Sequence, residues 1–160
     1  MAAGEPEQLV SATLGAADYD EILALWQRAG LPVRLAGRDA PGEFARQMAG
    51  GRQRVIGLRL PGEPASPPGP GGRLVAVALL TDDGRKGWIN RLAVEPDWRR
   101  RGAARRLVAE AERVFREELG LEVFAALIEA GNDASLATFA ALGYADHGVH
   151  YVSRRARPDA

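Results

Sequence analysis

The chain has 160 residues, 46% hydrophobic and 26% charged, which fits one ordinary globular domain and neither a disordered chain nor two full-sized domains. Lysine plus arginine and aspartate plus glutamate both number 21, so no overall field draws the protein to nucleic acid or anionic lipid, and a bound anion must meet a local site. Zero cysteines and two histidines exclude disulfides, thiolate chemistry and structural zinc, and no metal is expected.

Met1 to Gln8 has no basic residue ahead of an apolar stretch, and nowhere do about 18 uncharged apolar residues run together. The expectation is a cytoplasmic protein with no membrane partner. Arginine outnumbers lysine 20 to 1, a bias that points to a GC-rich, bacterial genome and enriches every arginine cluster by composition alone.

Gln8 to Leu14 reads as a strand, and Asp18 with Glu21 three residues on reads as a capping box that starts a helix. Tyr19, Ile22, Leu23, Leu25, Trp26 and Ala29 give that helix one apolar stripe, and Gly30 with Pro32 stops it. Leu31 to Pro41 is a loop, Gly42 to Met48 a short second helix, Arg54 to Leu60 a strand. Pro61 to Gly72 has nine Pro or Gly among its twelve residues and is expected to be a loose hairpin loop inside a single domain spanning 1–160, whose residues 155–160 form a loose tail. Leu74 to Leu80 is a continuous apolar run, as in a central strand covered on both faces, and Trp88 to Val94 pairs with it after the turn at Asp82 to Gly84. Arg101 to Glu118 has apolar positions at helical spacing. Val123 to Ile128 is a buried strand, Ser135 to Leu142 a short helix closed by Gly143, and Ala145 to Arg154 a pair of short strands or a terminal hairpin.

The stretch Leu92 to Ala104 (LAVEPDWRRRGAA) carries the strongest chemical signal, because a strand ends there and a helix begins at a glycine-containing, arginine-rich corner. A helix N-terminus exposes four unpaired N–H groups and about half a positive charge, and glycine lets a pyrophosphate approach them. Arg99, Arg100 and Arg101 add charge-assisted donors. Walker A and Rossmann patterns are absent, which disfavours ATP and NAD. The same residues also read as the start of a solvated helix laced by Arg106–Glu110, Glu112–Arg116 and Arg113–Glu117 pairs.

Arg99, Gly102 and Ala104 fill the pattern Q/R-x-x-G-x-G/A behind Leu92-Ala93-Val94, and Asn132, Ser135, Phe139 and Leu142-Gly143-Tyr144 follow in the order N-x-x-(S/A)…(L/F)-G-(F/Y). Over about Trp88 to Tyr144 the sequence resembles the GNAT N-acetyltransferase superfamily. The resemblance implies an α/β fold whose mixed central sheet, flanked by helices, splays between the strands of Leu92 and Leu127. It also implies acetyl-CoA as acyl donor, with Leu92, Ala93 and Val94 hydrogen-bonding the pantetheine and the amides of Arg99, Arg100, Arg101, Gly102, Ala103 and Ala104 holding the pyrophosphate. Asn132 and Ser135 would reach the cofactor from the other side, or else serve as a helix cap and a neutral surface residue. The implied activity is transfer of acetyl to a primary amine of a small molecule or peptide by direct attack in a ternary complex. The alternative is a catalytically weak acyl-CoA-binding module of the same fold. No nucleic-acid partner is expected, and a homodimer is admitted.

In the superfamily an amide near Val94 donates to the oxyanion. The usual acid, a tyrosine, is replaced here by Phe139, and Trp88 and Leu127 stand where some relatives place a glutamate base. Strand alternation from Leu127 makes Glu129 the leading base. For the acid, Tyr151, Ser135 and no residue at all stay open, since a thiol of pKa near ~8.5 departs readily as thiolate. His147 and His150 bracket a turn near the acceptor's approach, or else are plain surface histidines. Trp26, Arg34, Arg38, Asp39 and Phe44 fall in the region that shapes the acceptor pocket in relatives. Asp39, Glu43 or Glu129 would steer a cation, and Arg34 and Arg38 would favour a carboxylate or phosphate.

Overall fold

A computed structural model describes residues 8–65, 67 and 71–158; the N-terminal residues, part of the Pro61 to Gly72 loop and the end of the 155–160 tail lie outside them. In chain order come β1 (Val10–Leu14), α1 (Tyr19–Arg28), α2 (Pro41–Ala49), β2 (Gln53–Leu60), β3 (Arg73–Asp82), β4 (Gly87–Val94), α3 (Ala103–Arg113), β5 (Phe124–Ala126) and α4 (Asp133–Ala141). The sheet order is β1-β2-β3-β4-β5. The first four strands form an antiparallel meander, and β5 returns after α3 to lie parallel to β4, so the sheet is mixed as expected.

β3 is the middle strand, and Leu74 to Leu80 are all buried because helices cover both of its faces. On one face α3 packs Leu107, Val108 and Ala111 against Ala76, Ala78, Leu80 and Ile89. On the other, α1 and α2 bury Ile22, Leu25, Trp26 and Phe44 against Val55, Leu74, Val77 and Ala93. α3 ends in a π-helical turn, Val114–Glu118, that seats Phe115 over β4. Gly87 makes room for it, since a Cβ there would overlap the Phe115 ring.

Three expectations fail. Asp18 and Glu21 form no capping box on α1. Asp18 accepts from the Gly15 N–H at 2.8 Å and pairs with Arg59 at 3.1 Å, while Glu21 accepts from Arg59 and from the Leu74 N–H, at 3.0 and 3.1 Å. Arg59 explains this, since a guanidinium buried on β2 requires carboxylate partners more strongly than a helix end requires a cap. β5 keeps only Phe124–Ala126 of the run Val123 to Ile128 and is half-buried, an edge strand with no further strand beside it among the described residues. Ala145 to Arg154 forms no strand; its apolar residues Val149, Tyr151 and Val152 are all exposed.

Candidate functional site

β4 and β5 pair through three residues only, Gly87–Ile89 with Phe124–Ala126. Beyond Ile89 the two strands part, so the β5-facing edge of Asn90 to Val94 has no strand partner among the described residues. A bulge causes the parting: Arg91 and Leu92 together face Ala78, between the pairs Leu79–Asn90 and Val77–Ala93, and Arg91 has φ +49°. The parting forms a cleft and leaves the β5-facing edge of the segment that holds Leu92, Ala93 and Val94 without a ladder partner among the described residues.

The cleft runs into the corner after β4. A short 3-10 turn at Pro96–Trp98 leads to Arg100 and Gly102, both left-handed at φ +62° and +81°, and Gly102 is the N-cap of α3. The first helical bond is Arg106 N–H to the Gly102 carbonyl at 3.0 Å, and the amides of Ala103, Ala104 and Arg105 meet no backbone acceptor among the described residues. Two of the three arginines point elsewhere: Arg99 donates to the Ala29 carbonyl at the end of α1, at 3.1 Å, and Arg101 stacks over Trp98 at 5.0 Å. Donors and charge at this corner fit a pyrophosphate mainly through backbone.

Glu95, which sequence reasoning passed over, fixes where the corner begins. Its carboxylate is 2% exposed and receives Arg28 of α1 at 2.8 and 2.5 Å, with Arg73 at 3.9 Å. Its N–H also bonds the Val75 carbonyl at 2.8 Å. A polar residue one position beyond an apolar strand gave no sequence signal for this role.

Across the cleft, the Asn132 side chain accepts from the Ser135 N–H at 3.1 Å and caps α4, while Ser135 is half-buried. Phe139 is buried in the core, edge-on to Tyr144 at 5.0 Å. The Tyr144 hydroxyl donates to Glu112 at 2.9 Å, and burial, reinforced by that bond and charge, pushes its pKa above the usual phenol range. Glu129 lies in the loop beyond β5, exposed, where strand alternation no longer sets its direction. Tyr151 is 72% exposed in the C-terminal segment, and His147 and His150 are exposed with it. The described residues therefore bring neither Glu129 nor Tyr151 into a fixed relation with the cleft.

On the α1 side, Trp26 and Phe44 are core residues rather than pocket walls. Asp39 is 5% exposed, accepts from the Arg34 N–H at 2.8 Å and faces Arg91 at 3.6 Å. Glu43 is bonded by Arg46 and by Gln47, and the Arg46 hydrogen bond, helped by Gln47, pulls its pKa down to about 2. Two of the three acids that the sequence offered for steering a cation, Asp39 and Glu43, are thus engaged within the protein, while Glu129 is exposed. Among the described residues no three His, Asp or Glu side chains gather as metal ligands, and no helix is long and apolar enough to cross a membrane.

Residues 69–144 match the Acetyltransferase (GNAT) family. Among curated protein sequences none matches the chain. Of solved structures, an aminoglycoside acetyltransferase from an uncultured soil metagenomic sample, bound to trehalose, superposes with a TM-score of 0.70 at 13% identity, covering 94% of this chain and 98% of that one. A ribosomal-protein-alanine N-acetyltransferase from Brucella melitensis biovar Abortus 2308 gives 0.66 at 18% identity, with 92% and 99% covered. The PaiA N-acetyltransferase of Thermoplasma acidophilum, in complex with coenzyme A, gives 0.67 at 11% identity, with 84% and 87% covered. The parted strands and the left-handed glycine before α3 agree with these likenesses: residues 69–144, just under half of the chain, match the GNAT acetyltransferase family, and the chain as a whole has the fold of these acetyltransferases.

Proposed function

We propose that the protein is an acetyl-CoA-dependent N-acetyltransferase acting on a primary amine of a small molecule or peptide. The observation that carries this reading is the continuous path from the unpartnered edge of β4 to the free amides at the start of α3. Leu92 to Val94 hold the extended arm as a neighbouring strand would, Gly102, Ala103 and Ala104 present amides to the pyrophosphate, and Arg100 adds charge from its left-handed position. Asn132 and Ser135 border the opposite side. Acetyl-CoA supplies the activated acyl group when bound.

The amide near Val94 donates to the carbonyl oxygen as negative charge develops on it. Glu129, through a water, takes the proton of the attacking amine. The sulfur departs as thiolate, which a thiol of pKa near ~8.5 does without a fixed acid, and Tyr151 on the exposed C-terminal segment is the candidate proton donor to it. Because Asp39 and Glu43 are engaged internally while Arg38 is exposed and Arg34 half-buried, the α1–α2 loop favours an amine that also carries a carboxylate or phosphate.

Native mass spectrometry is expected to find CoA or acetyl-CoA retained by the purified protein or taken up on addition. Release of free CoA is then followed with lysine, cadaverine, an alanine-initiated peptide and sisomicin, an aminoglycoside bound by one related enzyme. Lysine is expected to exceed cadaverine, which lacks its carboxylate, and Glu129→Gln to slow both. Absence of acetyl-CoA binding overturns the reading. Binding without turnover of any amine favours a sensing module instead.

A further inference from the structure

Arg91 has no role in the reading above, yet it is the most constrained side chain near the cleft. It occupies the bulge of β4 with φ +49°, a conformation that a non-glycine residue holds only when its surroundings over-determine it. The surroundings do so. The guanidinium carbon lies 4.0 Å from the centroid of the Trp26 ring on α1. Nη2 donates to the Pro32 carbonyl at 3.1 Å, and Nη1 stands 3.6 Å from the Asp39 carboxylate. Nε is buried with no acceptor among the described residues, and burial lowers the Arg91 pKa despite Asp39. Asp39 passes the constraint on, accepting from the Arg34 N–H at 2.8 Å while its carbonyl accepts from the Tyr19 hydroxyl at 2.5 Å.

One side chain therefore ties both ends of the α1–α2 loop, Pro32 and Asp39, to the point where β4 bends away from β5. We propose that Arg91 is a positioning residue, clamping the 31–40 loop against the bulge so that the loop presents the acceptor amine beside Leu92 to Val94. The amine part rests on the acetyltransferase reading; the clamp does not. A planar guanidinium is required, because it stacks on Trp26 with its face while its edge reaches two oxygens, and an ammonium cannot do both.

The test combines amide hydrogen exchange, read by mass spectrometry, with steady-state kinetics on the full chain, comparing wild type with Arg91→Gln, Arg91→Lys and Asp39→Asn. In Arg91→Gln and Asp39→Asn, exchange over residues 31–40 is expected to rise about tenfold while that over 103–113 is unchanged. Arg91→Lys is expected to recover less than half of the protection. The double variant is expected to add little to either single one, since both break one connected unit. With lysine and sisomicin as amine probes, KM is expected to rise about tenfold while kcat and the acetyl-CoA Kd stay within about twofold.

Unchanged loop exchange, or a rise spread equally through α3, overturns the clamp. An acetyl-CoA Kd that moves with the amine KM overturns its role in acceptor delivery. If wild type turns over neither probe, the acetyltransferase reading fails for those amines while the exchange experiment still decides the clamp. If Arg91→Gln does not fold, Asp39→Asn decides it.

Discussion

Two neighbouring parts of the molecule, the corner after β4 and the loop pressed on its bulge, are built in opposite ways. The corner faces its ligand with backbone: a left-handed Gly102 and unpaired amides at the head of α3, while two of its three arginines turn aside. The loop is held by side chains, with Arg91, Asp39, Tyr19 and Trp26 meeting from separate segments. A backbone-held site suits a ligand that never changes, whereas a site on a side-chain-held loop can be altered by one or two substitutions without disturbing the first.

Breaking the corner is expected to give the largest effect. Acetyl-CoA at 100 times its Kd should stabilise wild type by about 2.7 kcal/mol, and Gly102→Glu should abolish that gain, because it adds bulk and negative charge at the amides proposed to hold the pyrophosphate. Thermal shift with and without acetyl-CoA checks this, and a shift that survives would move the cofactor elsewhere. Glu95→Gln attacks the joint between corner and α1. Burial of one charge partner without the other costs several kcal/mol in a dry core, but Arg28 and Arg73 are partly exposed and rehydrate, so about 2 kcal/mol is expected in urea unfolding.

The smallest effect concerns acid. Glu43 titrates near 2 in the folded chain against an ordinary 4.5, so its contribution is complete above pH about 4.5 and is lost as pH falls toward 2. The melting temperature should fall across that window, and Arg46→Gln should remove a small part of the fall, since the pair is exposed. A slope unchanged by Arg46→Gln would show that Glu43 gains nothing from its partner.

What the sequence reveals follows the same division. LVAVALL announces a central strand because burial on both faces leaves a continuous apolar run, and Arg99 to Ala104 announces the corner because backbone geometry demands glycine at one position. Arg91 and Asp39 announce nothing, since their partners lie on other segments and any strand arginine or loop aspartate looks alike. Asp18 and Glu21 misled for the same reason: the local pattern suits a cap, but Arg59 on β2 claims both carboxylates. Val149 to Val152 is rich in β-branched and aromatic residues, yet a strand also needs an edge to bond, and composition does not supply one.

The short pairing of β5 has a consequence for the order of assembly. β1 to β4 form a meander in which β2 and β3 pair through eight positions, whereas β5 must cross the whole of α3 to reach a ladder of three. Closing so long a connection for so short a ladder makes its docking a late step. The cleft exists only once that step is finished, so acetyl-CoA should bind the last form reached during refolding and none before it. In stopped-flow refolding, capture of the ligand should lag behind formation of the meander, which makes the ligand a timer for the final act of folding.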